Sequence, residues 1–137
     1  MHALLLLLSY LATPLSAHDA EEQAAKAVEH LGGRVVRDFN GRARPVVGVN
    51  LFGNQVTDAD LKELAALKGL RTLDLGFCKG VTNAGLKELA GLKGLQTLYL
   101  SYTQVKDAGL KELAVLTRLR ELHLASTPVT DAGLKEL

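Results

Sequence analysis

The stretch of sequence that decides the fold runs from Leu95 to Leu116 and reads LQTLYLSYTQVKDAGLKELAVL. Closely related copies open at Leu70 and at Leu119, and a weaker copy opens at Val46. The four opening residues are 24, 25 and 24 positions apart. Self-similarity at a fixed period of this size is the signature of a repeat architecture, so the period takes precedence over other sequence signals.

The first half of each copy predicts a short β-strand. It follows the frame L-x-x-L-x-L-x-x-N/C/T, in which apolar and polar residues alternate, as they do along a strand with one buried face. The ninth position of the frame is small and able to form hydrogen bonds, which suits a place where the chain turns off the strand. The residues at that position are Asn54, Cys78, Thr103 and Thr127.

The second half of each copy predicts an amphipathic helix. Leucines recur at every third position, as in Leu86, Leu89 and Leu92, and Lys-Glu pairs lie on the other side. Lys106 stands at the N-cap position of the third copy, which predicts the weakest cap there. The other predicted N-caps are Thr57, Thr82 and Thr130, and the acidic residues that follow, which complement the helix dipole, are Asp58, Asp107 and Asp131. A single unit of this kind cannot bury its leucines alone, so the units are expected to stack.

These copies resemble the repeats of the leucine-rich-repeat superfamily, and the resemblance covers Val46 to Leu137. The second copy, LxxLxLxxCxxVTNAGL from Leu70 to Leu86, is similar to the cysteine-containing subclass found in ribonuclease-inhibitor-like and F-box proteins. The other copies resemble repeats common in exported bacterial leucine-rich-repeat proteins. The resemblance implies a curved α/β solenoid with parallel strands on its concave face, helices on its convex face, and a role in binding. A fold does not by itself fix a function.

The sequence before the repeats predicts two further segments. Residues 1–17 combine a short apolar run with a small-residue end, which fits a secretory signal peptide and is too short for a membrane span. The protein is therefore predicted to be exported to the periplasm, the cell surface or the medium. Residues 18–45 predict an N-terminal cap made of a helix from Asp19 to Leu31 and a strand from Arg34 to Phe39. The repeats fill residues 46–137, and the fourth copy breaks off within its helix, which leaves open a longer array.

Composition and spacing argue against several classes of function. The formal net charge is only +1 with no basic block, so nucleic acid is not an expected partner. The four histidines lack metal-ligand spacing, and the lone Cys78 is expected to be a small buried side chain rather than a reactive thiol. Asp74 and His123 are predicted to lie two strands apart, at roughly twice 4.8 Å, with Tyr99 between them, so a Ser/His/Asp site fails on geometry. The sequence predicts no enzyme and no cofactor.

The candidate partner-binding residues are the outward-facing residues of the predicted strands, which vary between copies. Tyr99 is the predicted anchor, because tyrosine offers a broad apolar ring with a polar tip, and His123 would make binding sensitive to pH. The central row is Asn50, Asp74, Tyr99 and His123, and the flanking row is Thr72, Thr97 and Glu121.

Two functions are consistent with this pattern. The first is an interaction module that binds a protein partner through its concave strand face, which the variation of the outward residues favours. The alternative is a structural spacer of a surface or envelope assembly without a selective ligand. The near-identity of the helical halves, which read DLKEL in the first copy and GLKEL in the others, favours the alternative.

Overall fold

The computed structural model describes residues 14–137, and the predicted signal-peptide residues 1–13 lie outside that range. A repeating strand–helix order follows one initial helix and strand. The elements are α1 (Ala17–His30), β1 (Arg34–Arg37), β2 (Val46–Asn50), α2 (Asp58–Leu64), β3 (Thr72–Asp74), α3 (Asn83–Leu89), β4 (Thr97–Tyr99), α4 (Asp107–Leu113), β5 (Glu121–His123) and α5 (Asp131–Leu134). None of these helices has the length and apolar character of a membrane span.

The strands form one five-stranded sheet in chain order. β1 pairs with β2 in antiparallel fashion, and the remaining neighbours are parallel. Leu73 is in register with Val49 on one side and with Leu98 on the other, so equivalent positions of successive repeats stand in line. Each repeat helix packs against the next one. This arrangement confirms the predicted α/β solenoid of parallel strands and flanking helices.

The core is a continuous stack of leucine and valine side chains between the sheet and the helices. Leu73, Leu98 and Leu86 are fully buried, as the alternating strand pattern and the helical stripe predict. The ninth repeat position behaves as expected: the Thr103 hydroxyl donates to the carbonyl of Leu100 at 2.7 Å, where the chain leaves β4. The stacking of repeats therefore buries leucine side chains that a single repeat would leave exposed.

The repeat helices are shorter than the leucine spacing predicts. α3 ends at Leu89, and the third leucine of the stripe, Leu92, lies in the turn that follows. The Leu92 amide donates to the carbonyl of Leu89 at 2.9 Å, three residues back, which is the tighter hydrogen bond of a closing turn rather than of an α-helix. Leu92 is nevertheless fully buried, because the turn points its side chain into the core.

The N-terminal helix starts two residues earlier than predicted. Ser16 is its N-cap, and the Ser16 hydroxyl accepts a hydrogen bond from the Asp19 amide at 3.1 Å. The helix ends before Gly32, whose φ of 83° only glycine adopts without strain. The strand that follows, β1, is also shorter than predicted and ends at Arg37.

Successive repeat helices are joined at their N-termini by a side-chain hydrogen bond. The first residue of each helix accepts, through its Oδ1 atom, from the backbone N–H of the next repeat's N-cap residue. The joints are Asp58–Thr82, Asn83–Lys106 and Asp107–Thr130, with oxygen–nitrogen distances of 2.8, 2.8 and 2.6 Å. The acidic residues therefore bind the neighbouring repeat, a role beyond the predicted interaction with their own helix dipole.

The threonines at the N-caps take part in the same joints. The hydroxyls of Thr82 and Thr130 donate to Asp58 and Asp107 at 2.5 Å each. Thr82 also accepts from the Ala84 amide at 3.3 Å, as a side-chain cap should. Thr130 is the N-cap residue of α5, as predicted, but its hydroxyl accepts no hydrogen bond from that helix.

Candidate interaction surface

The predicted partner-binding residues share one side of the sheet, which we call the strand face. It consists of the outward residues of β1–β5, in two rows that cross the strands. One row is Arg34, Asn50, Asp74, Tyr99 and His123, and the other is Val36, Gly48, Thr72, Thr97 and Glu121. The sheet register thus brings all seven sequence candidates together.

Two residues of the strand face, Arg34 and Val36, escaped the sequence analysis. The antiparallel register of β1 places Arg34 opposite Asn50 and Val36 opposite Gly48, so both rows continue into the first strand. Val36 is 58% exposed, so the strand face carries an apolar side chain at its β1 edge. The strand-like stretch RVVR was the available signal, but the repeat frame does not extend to it.

The centre of the strand face holds a stacked pair of rings. The ring centroids of Tyr99 and His123 are 4.4 Å apart, and the ring planes differ by 14°. His123 Nε2 also lies 3.9 Å from a carboxylate oxygen of Glu121, which forms an ion pair when the imidazole is protonated. Tyr99 stands between Asp74 and His123, as predicted, which keeps these two residues apart.

Asn50 and Asp74 use part of their hydrogen-bonding capacity for the fold. Each accepts through Oδ1 from the backbone amide two residues later, Asn50 from Phe52 at 3.0 Å and Asp74 from Gly76 at 2.9 Å. These bonds shape the turn that ends each strand. Among residues 14–137, the second carboxylate oxygen of Asp74 accepts no hydrogen bond and is available to a ligand.

A cleft of about 470 Å³ opens on the strand face between β1 and β4. Its lining combines apolar, aromatic and charged groups. The lining residues are Val36, Val47, Gly48, Val49, Asn50, Arg71, Thr72, Asp74 and Tyr99. Four of the seven sequence candidates for binding therefore border it: Asn50, Thr72, Asp74 and Tyr99.

A second group of rings lies where the chain leaves the strands, and the sequence analysis did not find it. We call it the aromatic column: Phe52, Phe77 and Tyr102. Phe77 lies 5.0 Å from Phe52 and 4.1 Å from Tyr102 between ring centroids, and all three side chains are about half exposed. Phe77 and Tyr102 have φ values of 60° and 61°, a left-handed conformation that costs a non-glycine residue about 1–2 kcal/mol. The equivalent positions of the first and fourth copies, Gly53 and Ser126, are left-handed too, so this conformation belongs to the turn of every repeat.

The described residues offer little for catalysis or metal binding. No group of three or more His, Cys, Asp and Glu side chains within residues 14–137 is close enough to hold a metal ion. Cys78 is fully buried, and its thiol donates to the carbonyl of Leu51 in the preceding repeat at 3.1 Å. Burial raises the pKa of the Cys78 thiol to about 11, so the thiol stays protonated, and the predicted structural role is confirmed.

The comparisons with known proteins agree with the repeat geometry. A family model described as Leucine Rich repeat matches residues 70–90, 95–114 and 115–137, which are the second, third and fourth copies. The chain is a leucine-rich-repeat protein. Proteins of this class are typically scaffolds for protein interaction, because a stacked array presents an extended face. A search of curated proteins finds no match.

Two solved structures similar to this leucine-rich-repeat protein are internalins of Listeria monocytogenes. One internalin has 24% sequence identity and a TM-score of 0.46, over 66% of this chain and 32% of the internalin. The chain thus spans about a third of the length of that protein. Internalin C2 has 20% identity and a TM-score of 0.45, over 92% of this chain and 75% of its own.

Proposed function

We propose that this leucine-rich-repeat protein is an exported, non-catalytic interaction module that binds a protein partner through its strand face. The observation that carries the proposal is the stacked pair Tyr99–His123, which lies in the middle of that face beside an open cleft. Aromatic rings with few rotatable bonds are the residues that dominate protein interfaces. The sequence candidates Asn50, Asp74, Thr72, Thr97 and Glu121 surround the pair.

The stacking supports a binding role for a physical reason. Two rings held face to face lose little further freedom when a partner covers them, so less entropy opposes binding. The aromatic column lies next to the same face and enlarges the apolar surface that a partner can contact.

The test is affinity capture of extracellular and envelope proteins with the wild type and with the double variant Tyr99→Ala, His123→Ala. We expect a partner that the wild type retains and the variant loses. The matched control is Lys87→Ala, Lys111→Ala, which alters two exposed residues of the helical halves and should leave capture unchanged. A partner retained equally by all three proteins would move the site away from the strand face.

The alternative, a structural spacer, has a specific observation in its favour. The joints between helix N-termini recur in each copy and explain why the helical halves are so alike without any partner. A failure of the wild type to capture any protein would favour this alternative.

Export belongs to the same proposal and rests on the character of residues 1–17. Expressed in a bacterial host with its own N-terminus, the protein should lose that segment and leave the cytoplasm. Mass spectrometry of the mature chain decides the matter, and an intact N-terminus in the cytoplasmic fraction would contradict export.

A further inference from the structure

We propose that the cleft beside Tyr99 is a subsite for a basic side chain, arginine above all, that the protein partner presents. The inference rests on the proposed function, since it names what that partner places on the strand face. Three features carry it: the shape of the cleft, its uncompensated charge, and the orientation of one aromatic ring.

The shape of the cleft depends on a missing side chain. Gly48 occupies the row position that Thr72, Thr97 and Glu121 occupy in the following strands. The glycine leaves the floor open beneath Val36, and a Cβ atom at this position would lie 3.2 Å from the Cβ of Val36. The resulting volume of about 470 Å³ falls in the range of about 300–1,000 Å³ that is usual for ligand pockets.

The lining of the cleft has one carboxylate, Asp74, and one guanidinium, Arg71. Within residues 14–137, Asp74 forms no ion pair, although it lies in a half-buried position. Arg71, the other charged residue of the lining, reaches Asp38 at 4.0 Å instead. Because Arg71 faces Asp38, the Asp74 carboxylate is the charge of the lining that has no counter-charge, and an apolar occupant would remove its water without replacing the hydrogen bonds. A cation is therefore the complementary occupant.

The ring of Tyr99 completes the subsite. His123 covers the face of the ring that is turned toward β5, at 4.4 Å between centroids, which leaves the other face turned toward β3 and the cleft. A guanidinium group stacks on such a face and at the same time donates hydrogen bonds to a carboxylate, because its donors lie in the plane of the group. Tyr99 and Asp74 are adjacent in one row of the sheet, which is the geometry that this double contact needs.

The test is a titration of the isotope-labelled protein, followed by amide chemical shifts, with N-acetyl-arginine methylamide. The matched probe is the citrulline compound, which has nearly the same shape but no charge. We expect saturable shifts at Gly48, Asp74 and Tyr99 with the arginine probe only. In Asp74→Asn the affinity should fall by about tenfold, the usual effect of removing a charged hydrogen-bond partner.

The variant keeps the fold for a reason visible in the preceding strand. Asn50 closes the equivalent turn with an amide oxygen, so an asparagine at position 74 retains the bond to Gly76. Glu63→Gln is the control, because it removes one negative charge from an exposed position of α2, away from the strand face, and should leave the arginine affinity unchanged.

Several results would overturn the arginine subsite. They are an equal response to the citrulline probe, undiminished binding by Asp74→Asn, and no saturable shift up to the solubility limit of the arginine probe. Capture of a partner that depends on Tyr99 and His123 but not on Asp74 would also overturn it while leaving the proposed function intact. The two proposals can therefore fail separately.

Discussion

At the scale of single residues, the joint between repeats explains the recurring sequence D/N-A-G-L at the start of the repeat helices. The acidic or amide residue that opens one helix lies against the third residue of the next helix, and that residue is Gly85, Gly109 or Gly133. The first copy has Asp60 at this position instead, where it accepts from the Thr57 amide at 2.8 Å and the Thr57 hydroxyl at 2.9 Å. In the first copy, Asp60 of the same repeat is thus the acceptor for the N-cap amide. In the other copies, that acceptor is a side-chain oxygen of the preceding repeat.

The glycine in this motif is required by space, and we predict that Gly109→Ala is destabilising. A Cβ atom at Gly109 would collide with the Asn83 side chain, which is fixed by its bond to the Lys106 amide. Overpacking of this kind costs about 1–3 kcal/mol in the free energy of unfolding. Gly91→Ala is the control, since its Cβ would meet only the Lys68 ammonium nitrogen at 3.6 Å. Urea unfolding of the two variants gives the comparison, and equal stabilities would contradict the steric role.

The third joint should make stability depend on pH. Hydrogen bonds from the Thr130 hydroxyl and amide lower the pKa of Asp107 below its ordinary value of 3.8. A carboxyl with a lowered pKa stabilises the folded state above its unfolded pKa, and this stabilisation is lost as pH falls through the folded pKa. We expect Asp107→Asn to unfold with a shallower dependence on pH in the acid range than the wild type. Urea melts below pH 5 measure this, and parallel curves for the two proteins would contradict it.

At the scale of elements, a strand of only three residues is stabilised by the strands that pair with it on each side. Leu98 in β4 is fully buried between β3 and β5, whereas Leu122 in β5 is only partly buried. We predict that Leu98→Ala costs about 2–5 kcal/mol, the usual range for a buried leucine. Leu122→Ala should cost clearly less, because one side of that leucine has no neighbouring repeat among the described residues. Equal losses in urea unfolding would contradict the stacked-strand assignment.

The sequence predicts the elements well wherever a single repeat decides them. Alternation in the frame locates β3, β4 and β5, and the threonine or lysine before each helix locates its start. The helix ends are mispredicted because Leu92 keeps the helical spacing while its amide bonds three residues back. The spacing of the leucines predicts which side chains are buried. It does not predict whether the backbone at each leucine forms an α-helix or a tighter turn.

The candidate site is less predictable, because it depends on contacts between repeats. The row Asp74–Tyr99–His123 follows from register, which the period predicts. The stacking of Tyr99 on His123 depends on side-chain rotamers, and the entry of Val36 into the face depends on an antiparallel strand outside the repeat frame. The aromatic column depends on left-handed residues at Phe77 and Tyr102, which are positions that ordinarily favour glycine.

At the scale of the whole molecule, each repeat packs only against its neighbours, so stability is a sum of repeats and joints. The two ends of the described array differ. At one end α1 packs over β1 and β2, in line with our proposal that residues 18–45 form a cap. At the other end Leu134 and Leu137 are 48% and 54% exposed.

This asymmetry predicts a gradient of amide hydrogen exchange in the 137-residue polypeptide. Local opening is easiest where few apolar contacts must be broken, so the amides of β5 and α5 should exchange fastest among the repeat elements. Those of β3 and β4 should exchange slowest, because a repeat covers each side. β2 should resemble β3 rather than β5, since α1 and β1 cover it. Exchange followed by NMR distinguishes the cases: equally fast exchange in β2 and β5 would show that residues 18–45 do not act as a cap.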